Sequence, residues 1–136
     1  MEEETKDAIR NRIREQRRTL RQEERDGVAD AIEKELLSMK EFMDCKFFFA
    51  YLSHGTEIPT RAMILAAQEA GKIIAAPKVT GCNRMEFYPV ESLESLRPGA
   101  FGILEPEGGE VLTPDMGKTF LLLPGLAFTR RGERLG

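Results

Sequence analysis

A chain of 136 residues, 41% hydrophobic and 32% charged, has the length and composition of one soluble globular domain able to bury a core without metal or disulfide support. Its net charge of −3 argues against a general attraction to nucleic acid or acidic membranes, and no apolar run approaches the ~20 residues of a membrane span. The acidic start, Glu2-Glu3-Glu4, lacks the apolar stretch of a signal peptide. Cys45 and Cys82 have neither a CxxC nor a histidine pair beside them, so no zinc site is expected, only two free thiols in a reducing cytoplasm.

In chain order, Thr5 is a candidate N-cap for a helix over residues 5 to 22, with Ile9, Ile13 and Leu20 on a narrow apolar stripe. On the same helix Lys6, Arg10, Arg14, Arg17 and Arg21 recur at spacings of four, four, three and four. At the helical period they fall within an arc of about 80°. Such a ridge repels itself unless something negative lies nearby. A polyphosphate would serve, since lysine offers a point charge and arginine a planar fork. Acids of the same chain, such as Glu23 and Glu24, would serve as well; nucleic acid is a third partner, which the net negative charge disfavours. A second helix is predicted over 24 to 42, with Val28, Ile32, Leu36, Met39 and Met43 facing the core.

The run Phe47-Phe48-Phe49-Ala50-Tyr51, within residues 46 to 52, predicts a short strand covered on both faces. Pro59 opens a third helix, which Gly71 closes. Further strands are predicted over 73 to 76, 85 to 90 and 120 to 123, the last stopped by Pro124-Gly125. Residues 91 to 118, with Pro98, Gly99, Gly102, Pro106, Gly108, Gly109 and Pro114, predict a loop-rich excursion with at most one helical turn. Strand, helix and strand at this spacing form a βαβ unit, so the class is α/β with a largely parallel sheet and two leading helices. There is no internal repeat and no low-complexity tract.

Ligands of such sheets bind at the carboxyl ends of the strands. Glu57 sits just there, between the first strand and the third helix, where its carboxylate could accept hydrogen bonds from the N–H groups of a pterin-like ring or partner the helix entry. His54, the only histidine, reads as a surface loop residue, and without a second candidate no nucleophile–histidine arrangement can be assembled. Gly117-Lys118-Thr119 imitates the end of a phosphate loop, but position 112 is Leu112 rather than glycine and the segment precedes a strand instead of following one.

Three segments together resemble the 5-formyltetrahydrofolate cyclo-ligase (methenyltetrahydrofolate synthetase) family. Lys6-Asp7-Ala8-Ile9-Arg10 is similar to the family's N-terminal KxxxR. Residues Tyr51 to Thr60 are similar to its strand followed by an E-[IV]-x-T turn. Leu123-Pro124-Gly125-Leu126-Ala127-Phe128 with Gly132-Glu133-Arg134-Leu135-Gly136 resembles its PGLAFD…G.RLG segment. Ala76-Pro77-Lys78, Met85-Glu86-Phe87 and Phe101 to Pro106 add support in the same order, so the resemblance covers the whole chain.

The resemblance implies a single cyclo-ligase domain over 1–136, with the three-layer α/β fold shared with sugar-phosphate isomerases and CoA transferases. It implies conversion of 5-formyltetrahydrofolate and ATP to 5,10-methenyltetrahydrofolate, ADP and phosphate, with Mg²⁺ as companion of ATP. Lys6, Arg10, Arg134, Leu135 and Gly136 would hold ATP; Leu52, Glu57, Met85 and Phe101 would line the folate pocket; no metal ligand is expected in this chain. The other partners expected are few: no membrane, no nucleic acid, a monomer or weak dimer in the cytoplasm. The alternatives are a non-catalytic relative that binds nucleotide or folate, and an RNA-binding domain using the basic first helix. Two departures stand out. Thr129 occupies the position of the family's Asp, and the family's glycine-rich GxGYYDR segment does not follow Gly136. The expectation is a C-terminally truncated chain that folds but is catalytically dead or nearly so as it stands.

Overall fold

The computed structural model describes residues 3–136. Its helices are α1 (Lys6–Thr19), α2 (Gln22–Ser38), α3 (Lys40–Asp44) and α4 (Arg61–Glu69). Its strands are β1 (Phe47–Ala50), β2 (Ile73–Gly81), β3 (Arg84–Pro89), β4 (Arg97–Pro98), β5 (Leu104–Glu105), β6 (Thr119–Leu122), β7 (Ala127–Phe128) and β8 (Arg134–Leu135). The central sheet runs β3-β2-β1-β6. β1 lies between parallel neighbours, with Phe48 opposite Ile74 on one side and Phe120 on the other, while β3 joins antiparallel to β2. The largely parallel α/β class expected from the sequence is thus present, with β2, α4 and β1 as its βαβ frame.

All four residues of β1 are buried. This is what a continuous apolar run must do in a central parallel strand, where both faces are covered. Phe48 and Ala50 point into the larger core with Ala29 and Leu36 of α2, Phe42 of α3, Met63, Ile64 and Ala67 of α4, and Ile74. Phe47 and Phe49 point the other way, into a smaller cluster with Ala75, Leu112 and Phe87.

The helical stretch predicted over 24 to 42 is two helices, because Met39 adopts extended backbone (φ −77°, ψ 129°) and caps both. The buried face is also rotated by one residue from the predicted stripe. Ala29, Leu36 and Phe42 are buried, whereas Val28, Ile32, Met39 and Met43 are substantially exposed. The first helix likewise stops at Thr19, and Leu20 is extended, so Arg21 leaves the ridge and leads α2, paired with Glu24 at 3.0 Å.

β2 runs five residues beyond its predicted end and turns through Cys82 and Asn83 into β3. Asn83 has φ 57°, a left-handed conformation that asparagine tolerates in a tight hairpin. The 91–118 excursion contains three single 3₁₀ turns and the short β4–β5 pair. Cys45 is buried and its thiol is pushed up by that burial, against the opposing pull of the Lys72 ammonium; Cys82 is exposed and the two are unbonded.

Candidate active site

The site is built where β1 and β6 end. After β6 the chain turns at Pro124-Gly125 and returns as the β7–β8 hairpin, closed by Leu126 N–H to Leu135 O at 2.7 Å and Thr129 N–H to Glu133 O at 3.0 Å. Gly125 allows this turn to close: a Cβ there would sit 2.6 Å from the Phe128 ring. The Arg134 Nη1 donates to the Pro124 carbonyl at 2.8 Å, and the Arg17 Nη2 donates to the Gly125 carbonyl at 3.0 Å. Arg10 reaches the last residue, its Nε donating to the Gly136 carbonyl at 2.9 Å while its Nη1 holds Asp7 at 2.8 Å.

After β1, Thr60 staples the loop that carries Glu57. Its hydroxyl donates to the Tyr51 carbonyl at 3.0 Å and accepts from the Ser53 N–H at 3.1 Å, and its own N–H donates to the Ser53 hydroxyl. Within the loop, one oxygen of the Glu57 carboxylate accepts the His54 N–H at 2.8 Å, and Gly55 turns with φ 61°. The phenol of Tyr51 is pushed up, first by burial and then by the Glu57 charge, with Arg17 opposing, so it stays protonated at neutral pH.

These elements enclose a cleft of about 410 Å³ lined by Arg14, Arg17, His54, Glu57, Pro124 and Arg134, among others. Three guanidiniums and one carboxylate line one space. Arg14 has no ion-pair or hydrogen-bond partner among the described residues, whereas Arg12, Arg18 and Arg21 are paired with Glu4, Glu15 and Glu24. Of the ridge itself, Arg10 is paired with Asp7 and Arg21 with Glu24, while Arg14 and Arg17 line the cleft. Lys6 opens into an adjoining hollow of about 270 Å³ with Ile9, Phe128, Thr129, Glu133 and Arg134. Arg134 also borders an apolar hollow of about 280 Å³ on the sheet face, lined by Tyr51, Pro77, Met85, Phe87, Leu121 and Leu123.

The structure thus brings Lys6, Arg10, Arg134, Leu135 and Gly136 together around α1 and the β7–β8 hairpin, and Glu57 lines the same cleft as Arg134. It does not bring the four residues predicted for folate into one cavity. Met85 lines the apolar hollow, and Leu52 lines a separate one of about 220 Å³ with Ser53, Thr60, Arg61, Leu93 and Leu96. Phe101 is 91% exposed at a left-handed backbone position (φ 58°). His54, read from the sequence as a plain surface residue, lines the cleft, as do Ile103 and Leu126. The helical ridge gave a signal for Arg14 and Arg17; nothing in the spacing marked His54. Among the described residues no group of three or more His, Cys, Asp or Glu gathers, and no helix is long and apolar enough to cross a membrane.

The model of the 5-formyltetrahydrofolate cyclo-ligase family matches residues 2–136 of this chain. The chain belongs to that family. It is 32% identical over 115 residues to a protein of Schizosaccharomyces pombe described as a probable 5-formyltetrahydrofolate cyclo-ligase, a match that covers 82% of this chain and 56% of that one. The fold is similar to the NMR structure of 5,10-methenyltetrahydrofolate synthetase from Aquifex aeolicus, with a TM-score of 0.84 and 33% identity, covering 96% of this chain and 66% of the other. A 5,10-methenyltetrahydrofolate synthetase from Mycoplasma pneumoniae shares the fold at a TM-score of 0.72 and 17% identity, over 96% of this chain and 70% of its own. The chain spans little more than half the length of the curated cyclo-ligase relative it matches.

Proposed function

We propose that the protein is an ATP-dependent 5-formyltetrahydrofolate cyclo-ligase, and that its two substrates meet in the cleft between α1, the Glu57 loop and the Pro124-Gly125 turn. The observation that carries this reading is the make-up of the cleft, in which Arg14, Arg17 and Arg134 share about 410 Å³ with the single carboxylate of Glu57. That volume is of the size of a small-molecule site. A triphosphate suits the cationic side, supported by Lys6 and Arg10 on the same helix. Glu57 suits the N–H groups of a pterin, because only one of its oxygens is engaged by the protein, through the His54 N–H. The apolar hollow beside Arg134, with Tyr51, Met85 and Phe87, suits an aromatic ring.

The reaction then needs no protein nucleophile. The formyl oxygen of the folate attacks the γ-phosphorus, the bond from that phosphorus to the β-bridging oxygen breaks, and ADP leaves. The activated formyl carbon is attacked by N10, which gives up its proton, and the C–O bond to phosphate breaks as the ring closes. The chain's own task is to hold the two substrates in line and neutralise the moving charge, a task for which the guanidiniums lining the cleft are suited. Mg²⁺ expected with ATP would be held chiefly by the phosphate oxygens, since no group of three or more His, Cys, Asp or Glu gathers among the described residues.

Calorimetric titration tests the reading. The chain should bind ATP saturably, weaken steeply as salt rises because the partners are charged, and bind 5-formyltetrahydrofolate at a second, non-competing position. Competition between the two ligands, or an affinity for RNA with steeper salt dependence than that for ATP, would contradict it.

A further inference from the structure

α1 carries much of the cationic side of the cleft yet is weakly held. None of its residues from Lys6 to Thr19 is buried, whereas α2, α3 and α4 each bury apolar side chains. A 14-residue helix is marginal in water on its own and is normally fixed by an apolar face. Here Ile9 and Ile13 are only half-buried. The position of α1 therefore depends on directional polar contacts.

Two α1 side chains make hydrogen bonds to the far end of the chain. One is Arg10 to the terminal Gly136 carbonyl. The other is Arg17, whose Nη2 donates to the Gly125 carbonyl at 3.0 Å in a partly buried setting. Arg17 is doubly engaged, since its own carbonyl accepts the Arg25 Nη2 at 2.8 Å and so ties α2 to the same residue. The anchor on the other side is rigid. Pro124 fixes its backbone, Gly125 has no room for a side chain, and the Pro124 carbonyl is held by Arg134. Consecutive carbonyls of one turn are thus gripped by an arginine from α1 and an arginine from β8.

We propose that Arg17 is a positioning residue: its guanidinium, held on the Gly125 carbonyl, docks α1 on the turn after β6 and thereby sets Lys6 and Arg10 against β8. The nucleotide half of this inference rests on the reading of the cleft given above; the docking half does not. A hydrogen bond from a charged donor in a partly buried place is among the stronger single contacts a helix can make. Its loss should free α1 while leaving the sheet intact, because neither Arg17 nor Gly125 belongs to either core cluster.

The test is hydrogen exchange of the full 136-residue chain together with ATP titration, on wild type, Arg17→Met and Arg17→Lys. Arg17→Met should speed exchange of α1 amides by about tenfold or more and weaken ATP by a similar factor, the scale of one lost charge-assisted hydrogen bond. Exchange in β1 and β2 should not change, nor should the affinity for 5-formyltetrahydrofolate. Arg17→Lys, which keeps a donor able to reach a carbonyl, should recover most of both effects. Unchanged α1 exchange in Arg17→Met would overturn the docking role. Recovery of ATP affinity by lysine without recovery of α1 protection would also overturn it, by showing that Arg17 acts through charge alone. If wild type binds no ATP, the nucleotide reading of the cleft fails, and the exchange arm still decides the docking.

Discussion

Phe48→Ala should be the most damaging single substitution in the sheet, costing about 3–5 kcal/mol, as truncation of a fully buried phenylalanine does. Phe48 is 0% exposed and sits at the middle of the central strand, between Ile74 and Phe120 on its two neighbours. Its ring meets Phe42 edge-on at 5.5 Å and Phe120 at 6.1 Å. The space left by its removal is walled by strands on both sides and by α3 and α4 above, so little can collapse into it. The midpoint of thermal unfolding should fall on the order of 10 °C for a domain of this size. Phe101→Ala, at a ring that is 91% exposed, should move stability by no more than about 0.5 kcal/mol. Urea unfolding of the two variants checks the pair; comparable losses would mean that the core is not centred on β1.

Thr60→Val should cost about 1–3 kcal/mol, since two partly buried backbone groups lose their partners at once. The substitution keeps the shape of the side chain, which is 1% exposed, and removes only the hydroxyl. The Tyr51 carbonyl then loses a donor and the Ser53 N–H loses an acceptor, both in a partly buried setting. Thr60→Ser retains both hydrogen bonds and should lose only the methyl contribution, about 1 kcal/mol. Because the same staple fixes the start of the loop to Glu57, Thr60→Val should also weaken 5-formyltetrahydrofolate while leaving ATP unchanged. Denaturation curves of valine and serine variants decide the first part, and titrations the second.

Much of the frame was legible because it is written in contiguous residues. Phe47 to Ala50 could only be a doubly covered strand, and Pro59 and Gly71 mark the ends of α4 closely enough, its first residue being Arg61. The breaks in the leading helices were not legible. Leu20 and Met39 are ordinary helix formers by type, yet both adopt extended backbone and end the helices they follow. The buried face of α2 falls on Ala29 rather than Val28, because Ala29 is the residue that packs into the core with Phe42 and the α4 side chains. The β7–β8 hairpin escaped for another reason. Each strand is two residues long, and its register depends on the Leu126–Leu135 pairing rather than on any alternation.

For the site, the ridge of α1 was visible as a helical period, and Glu57 as a carboxylate at a strand end. What the spacing could not show was which hollows these residues share. Leu52 and Glu57 lie five positions apart, yet the Thr60 staple turns the chain between them so that they line different cavities. His54 enters the cleft because its N–H caps the Glu57 carboxylate, a local turn that no single residue type announces.

The central claim is that the cleft and its adjoining hollow hold a nucleotide on the α1 side, where Lys6 lies, and a folate on the Glu57 side. It is tested most directly by measuring both affinities in Lys6→Ala and Glu57→Gln. Neither change breaks a hydrogen bond that builds the fold: Lys6 makes none among the described residues, and glutamine can still accept the His54 N–H. Lys6→Ala should weaken ATP about tenfold and leave 5-formyltetrahydrofolate unchanged, whereas Glu57→Gln should do the reverse, each being the loss of one charged contact to ligand. Equal effects on both ligands in either variant, or no effect on the assigned one, would contradict the account.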